Sequence, residues 1–196
     1  MNYSDLYNTL YKYGYHAMLK NHGLRYAKGF TVDYDFESIL EVGCSNGAAV
    51  KYLQKNDKKA FGIDVANIAI RYAQEKYGTI NCNEASVLDI PFKDKWFDAV
   101  FTCDVLEHLM PEDIDKGISE IKRVAKDILF IKVDDKVEGN TEFTDKIHKA
   151  GHYKEIKNLH LTVMPIDEWI KKFESCGKWK LREKYMKDLL VFDAIN

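Results

Sequence analysis

The sequence predicts an α/β protein: a mostly parallel sheet with helices on both faces, a three-layer, Rossmann-like arrangement. Three observations carry that expectation. Short apolar runs from Ser38 onward read as strands buried on both faces, helix-like stretches separate them, and a glycine-bracketed turn follows the first run. A chain of 196 residues suits one domain, here 1–196, and a hydrophobic fraction of 46% suits a packed core. The formal net charge of −2, from 29 basic and 31 acidic residues, gives no global pull toward nucleic acid or anionic membrane.

Taken in order, residues 3–28 place Leu6, Leu10, Tyr13, Ala17 and Leu24 at helical spacing. Ser4 is a candidate cap, and Gly14, Gly23 and Gly29 are candidate interruptions, so 1–30 reads as a helical cap of one or two short helices. Strand-like runs follow at 38–42, 60–64, 79–82, 98–102 and 127–133, with helix-like segments at 46–55, 66–77 and 112–125. Residues 134–160 are polar and weakly periodic, a loop or partly helical insertion on the substrate side. Pro165 then opens a helix with Trp169, Ile170 and Phe173 on one face and Gly177 just past its end. Trp179–Tyr185 and Leu189–Ile195 read as a hairpin turning at Met186, Lys187 and Asp188, which makes seven strands with an antiparallel one at the C-terminus.

Cys44, Cys82, Cys103 and Cys176 form no C-x-x-C pair and read as reduced thiols. The N-terminus is polar and tyrosine-rich, without an apolar stretch suited to a signal peptide or membrane span. A soluble, cytoplasmic protein is expected, with no membrane partner.

The chemistry is written in Glu41-Val42-Gly43-Cys44-Ser45-Asn46-Gly47. A dinucleotide turn needs G-x-G-x-x-G, but positions 43, 45 and 48 are Gly, Ser and Ala; no Gly-Lys-Ser/Thr of a phosphate loop follows either. The segment is instead similar to the first motif of class I S-adenosylmethionine-dependent methyltransferases. Ala85-Ser86-Val87-Leu88-Asp89-Ile90-Pro91-Phe92 resembles the family's adenine-side segment, and Phe97 to Leu109 its fourth strand and the helix start behind it. The resemblance implies S-adenosyl-L-methionine as cofactor. Glu41, Gly43, Cys44, Asn46 and Gly47 would surround its methionine end, and Asp64, with Val65 beside it, would meet the ribose hydroxyls. Ser86 and Val87 would face the adenine, and Cys103 and Asp104 would line the wall near the sulfur.

Methyl transfer to a hydroxyl benefits from a general base, and histidine is suited to that near neutral pH. His108 and His160 are the candidates; His148 and His152 lie in the insertion. Asn158 to Pro165, followed by Trp169 and Phe173, resembles a segment of methyltransferases of sugar and cell-surface glycan pathways. The expected substrate is therefore a small polar, saccharide-like molecule methylated on O or N. One alternative rests on Asp104-x-x-Glu107-His108 with a distant His, which resembles the metal site of small-RNA terminal 2′-O-methyltransferases. On the preferred reading no metal ligands are assigned, and nucleic acid is the less expected partner without being ruled out. Another alternative is a non-catalytic, cofactor-binding partner protein. Tyr3, Tyr7, Tyr11, Tyr13 and Tyr15 could form a homodimer surface, or Tyr11, Tyr15 and His16 could close over the cofactor.

Overall fold

The computed structural model describes residues 1–15, 22–136, 141–175, 177–186 and 189–195. Seven strands form one sheet in the order β3-β2-β1-β4-β5-β7-β6. They are β1 Ser38–Val42, β2 Lys59–Asp64, β3 Cys82–Glu84, β4 Phe97–Cys103, β5 Ala125–Lys132, β6 Trp179–Tyr185 and β7 Leu189–Ala194. The first five pair in parallel, and β7 runs antiparallel to both neighbours. The chain steps outward from β1 to β3 and returns to lay β4 on the other side of β1. That reversal opens a crevice at the carboxyl ends of β1 and β4, where ligands bind in open α/β sheets.

The helices are α1 Tyr3–Lys12, α2 His22–Asp33, α3 Ala48–Lys55, α4 Asn67–Tyr77, α5 Ile114–Val124, α6 Thr141–Lys149 and α7 Ile166–Glu174. One face of the sheet buries Leu40, Val42, Phe97 and Leu129 against Ile114, Ile118 and Ile121 of α5 and Trp169 and Phe173 of α7. The other buries Ile39, Ala60, Phe101 and Phe130 against Phe30 of α2, Val50 and Leu53 of α3 and Ile70 of α4. Phe30 stacks on Phe130 with ring centroids 4.3 Å apart, fixing α2 over the middle of the sheet. Among the described residues no helix is long and apolar enough to cross a membrane.

Three local expectations need correction. Asn2, not Ser4, caps α1, its side chain accepting the Asp5 N–H at 3.1 Å. Gly23 and Gly29 lie inside α2 rather than breaking it. Their bareness serves packing: a Cβ on Gly23 would sit 2.7 Å from Glu41 Oε1, and one on Gly29 2.8 Å from Met186 Sδ. The third strand begins at Cys82 rather than at 79, because pairing with β2 starts at Gly62 opposite Cys82. The insertion is partly helical, as α6 shows. Cys44 and Cys82 are buried free thiols and Cys103 is half-buried; Cys176, Ala17 and most of the 186–188 turn lie outside the described residues.

Candidate active site

The turn after β1 is shaped by two left-handed glycines with different tasks. Gly43 has φ +78°, and a Cβ there would come within 2.2 Å of Val105 Cγ2. Its N–H and that of Cys44 both donate to the Ile63 carbonyl, at 2.8 and 2.9 Å, tying the turn to β2. Gly47 has φ +69° and precedes α3, but it faces Ile80, Ala73 and Cys82. It bends the chain from behind and does not line the cavity, contrary to expectation.

Asp64 ends β2 beneath this turn. Its Oδ2 accepts the Ser45 N–H at 2.8 Å and its Oδ1 the Ala66 N–H at 2.9 Å. Burial pushes its carboxyl up to about 6, against the pull of those two N–H donors. A carboxylate offers about four acceptor positions, so two remain for a diol. Glu41 is buried with Oε2 unpartnered, and burial raises it well above its ordinary value.

A cavity of about 400 Å³ extends from this turn. It is lined by Glu41, Gly43, Cys44, Asn46, Asp64, Val65, Ser86, Val87, Cys103, Asp104, His108 and His160, which brings together every expected site residue except Gly47. Ser86 also steadies its own loop, its hydroxyl accepting the Leu88 N–H at 3.1 Å. These groups fit a nucleoside with an amino-acid tail: an acceptor pair under the ribose position, a bare turn beside it, and a buried acid at the far end.

Four tyrosines of the N-terminal segment cover the cavity. Tyr3, Tyr7, Tyr11 and Tyr15 all line it, whereas Tyr13 is 39% exposed. The Tyr11 hydroxyl lies 2.7 Å from Ser45 Oγ, pinning the cover to the glycine turn. The Tyr3 hydroxyl donates to Asp113 at 2.6 Å and accepts the Met110 N–H at 2.8 Å. Tyr7 meets His108 edge-on at 5.9 Å, and Tyr15 meets Phe143 of α6 at 5.3 Å. Four of the five tyrosines thus line the cavity; His16 lies outside the described residues.

Asp104 follows β4 with φ +57° and is held by the Lys132 ammonium and by His22 Nδ1, 3.2 Å away. Burial works against ionisation, but His22 and Lys132 hold the carboxyl below the usual carboxylate range. Sequence reading missed both partners. Lys132 left one signal, a lysine closing the apolar run Ile128–Ile131; the structure leaves it only 9% exposed.

His108 belongs to a single 3-10 turn, Leu106–His108. The segment 158–162 is strapped to that turn: Thr162 donates its N–H to the Glu107 carbonyl at 3.0 Å and its hydroxyl to the Leu109 carbonyl at 2.7 Å. The strap brings His160 against His108, ring centroids 4.9 Å apart. His108 Nδ1 lies 2.9 Å from the Leu159 carbonyl, and His160 Nδ1 2.9 Å from the Lys136 carbonyl. A carbonyl only accepts, so Nδ1 carries the proton in both rings and Nε2 the lone pair. Burial, then the neighbouring His160, lower His108 to about 4. Burial, then Asp104, raise Glu107 to about 8.

Strand order and cavity position are those of a doubly wound, ligand-binding fold, and comparison with known proteins narrows the class. Residues 40–128 match the family described as "Methyltransferase domain". The O-methyltransferase rstn1 of Aspergillus nomiae is 33% identical over 97 residues, covering 46% of this chain and 42% of that protein. The tRNA U34 carboxymethyltransferase of Nautilia profundicola is 26% identical over 153 residues, covering 72% and 48%. The chain spans less than half the length of either curated relative. Among solved structures, magnesium protoporphyrin IX methyltransferase of Synechocystis PCC 6803, with bound S-adenosylhomocysteine, superposes with a TM-score of 0.60 at 15% identity. That match covers 87% of this chain and 81% of the other. The chain is thus similar to class I S-adenosylmethionine-dependent methyltransferases, in sequence over residues 40–128 and in fold over most of its length, and S-adenosylmethionine is the cofactor that goes with that family.

Proposed function

We propose that this chain methylates an oxygen of a small polar acceptor, with S-adenosylmethionine at the turn between β1 and α3. One observation carries the reading: a single cavity joins the Gly43–Asn46 turn and Asp64 to His108 and His160 under one tyrosine lid. Bound there, the cofactor would supply an electrophilic methyl on a sulfonium. Asp64 would accept both ribose hydroxyls, Glu41 would stand at the methionine end, and Ser86 and Val87 would flank the adenine. The chain's remaining work is alignment and exclusion of water, which the lid performs.

Oxygen is favoured over nitrogen because two histidine Nε2 lone pairs face the acceptor end, where a hydroxyl proton must be handled. The O-methyltransferase relative supports the same choice. A saccharide-like acceptor suits a pocket walled by tyrosines and polar groups. Cytoplasmic action on a soluble metabolite belongs to this reading. His160→Ala should cut turnover about 10²–10⁴-fold, the usual span of an acid–base group, and leave S-adenosylhomocysteine affinity unchanged by calorimetry. Full activity in that variant would remove His160 from the acceptor site.

A further inference from the structure

We propose that Glu107, His108 and His160 bind one first-row divalent transition ion at the acceptor end of the cavity. This deepens the proposed function and rests on it for the placement of the acceptor. One ligand atom from each of the three residues can be chosen so that all lie within 4.8 Å of one another. The donor set is two imidazole nitrogens and one carboxylate oxygen, an assortment that suits zinc, iron, nickel or copper rather than magnesium or calcium.

Two further observations point to a ligand. First, both imidazoles are held as ligating histidines usually are: each Nδ1 is tied to a backbone carbonyl, Leu159 for His108 and Lys136 for His160. Such outer bonds fix the tautomer and aim Nε2 at the metal. Second, the site contains two orphaned buried oxygens. Glu107 is fully buried; its Oε1 accepts the Asp134 N–H at 2.9 Å, while Oε2 has no partner. The Tyr7 hydroxyl, on the ring packed against His108, is buried without a partner as well. An unpaired carboxylate oxygen inside a protein is costly unless something cationic meets it. Lys132 does not fill that place, since its ammonium is bonded to Asp104.

Asp104 stands outside the cluster, turned to Lys132 and His22. Among the described residues the cluster therefore offers three ligands, and a three-ligand site keeps a position open for water or substrate, as catalytic sites do and structural ones do not. The open position would face the cavity and take an acceptor oxygen; with both Nε2 lone pairs engaged, the ion rather than a free imidazole would acidify that hydroxyl. The acceptor class is accordingly a hydroxyl compound whose oxygen can ligate a metal.

The test is calorimetric titration of chelator-stripped, intact protein with Zn²⁺ and, separately, Co²⁺, whose visible absorption reports coordination. One equivalent should bind, and Glu107→Gln and His160→Ala should each weaken it about tenfold or more. His148→Ala should match the unaltered protein, since His148 Nε2 is occupied at the Tyr153 carbonyl. S-adenosylhomocysteine titration of every variant reports folding and the cofactor site separately. Ion binding that is absent in the unaltered protein, or undiminished in both ligand variants, would overturn the metal site. If homocysteine-nucleoside binding survives, the methyltransferase reading then stands without the metal; if that binding fails while the ion binds, it is the reading of the cofactor site that falls.

Discussion

On the proposed reading, the cavity has a cofactor half and an acceptor half built on opposite plans. The cofactor half is made by backbone: Gly43 and Cys44 donate to Ile63, and Ser45 and Ala66 donate to Asp64, all within the unit formed by β1, its turn, α3 and β2. The acceptor half is made by side chains from distant segments: Tyr7 from α1, Glu107 and His108 from the turn after β4, and His160 from the strap. Backbone geometry serves a ligand that never changes, whereas side chains on separable segments can be altered without disturbing the sheet. The acceptor half is accordingly where relatives of this fold would diverge.

The largest effect should come from breaking the backbone half. At Gly43 an added Cβ meets both a left-handed φ and Val105 Cγ2 at 2.2 Å. Gly43→Ala should cost about 2–6 kcal/mol, strain plus overpacking, read as a drop in the denaturation midpoint. Adding Val105→Ala removes the overlap but not the strain, so about half should return. Full recovery would show that φ matters little here; none would show that the turn is fixed by something other than Val105.

Asp64→Ala comes next and should weaken S-adenosylhomocysteine by about 1–3 kcal/mol through loss of a charged acceptor. Unchanged affinity would take Asp64 out of the site. The same carboxyl gives a pH signature. Its folded value of about 6 lies above the ordinary one. In the free protein its stabilising contribution is therefore present below the ordinary value and lost as pH rises through 6. Cofactor binding has the opposite sign, because ribose hydroxyls donate to the ionised form. Affinity should fall about tenfold from pH 7 to pH 5, and Asp64→Asn should flatten that slope. A slope kept in the variant would assign the titration to another group.

The two halves also differed in how far the sequence disclosed them. The cofactor half is contiguous, so Glu41 to Asn46 and Asp64 stand in the chain much as they stand in space. Even there the direction of a glycine was hidden: Gly47 turns toward Ile80, which only the packing of α4 and β3 decides. In the acceptor half, His108 and His160 were visible as chemistry but not as neighbours, since their meeting depends on Thr162 bonding to the turn at 107–109. His22 and Lys132 converge on Asp104 from α2 and β5, and no local pattern encodes that. Tyr7 read as one of five tyrosines of a possible homodimer surface; its place against His108 follows from where α1 lies.

The smallest effects separate the halves most sharply, because they come from one atom on the same helix. Tyr11 contributes its hydroxyl to the cofactor half, 2.7 Å from Ser45 Oγ, while the Tyr7 hydroxyl in the acceptor half is buried and unpartnered. Removing a satisfied hydroxyl loses a net hydrogen bond, about 0.5–1.5 kcal/mol, so Tyr11→Phe should lower the melting temperature and loosen S-adenosylhomocysteine a few-fold. Removing an unsatisfied one relieves a desolvated group, so Tyr7→Phe should melt at the same temperature or higher with cofactor affinity intact. Its turnover should nevertheless fall, because an orphaned hydroxyl over His108 has a partner only when the acceptor half is filled. Equal melting and equal turnover in the two variants would mean that the lid is one uniform aromatic cover, and that the division between a backbone-built and a side-chain-built half stops at the sheet.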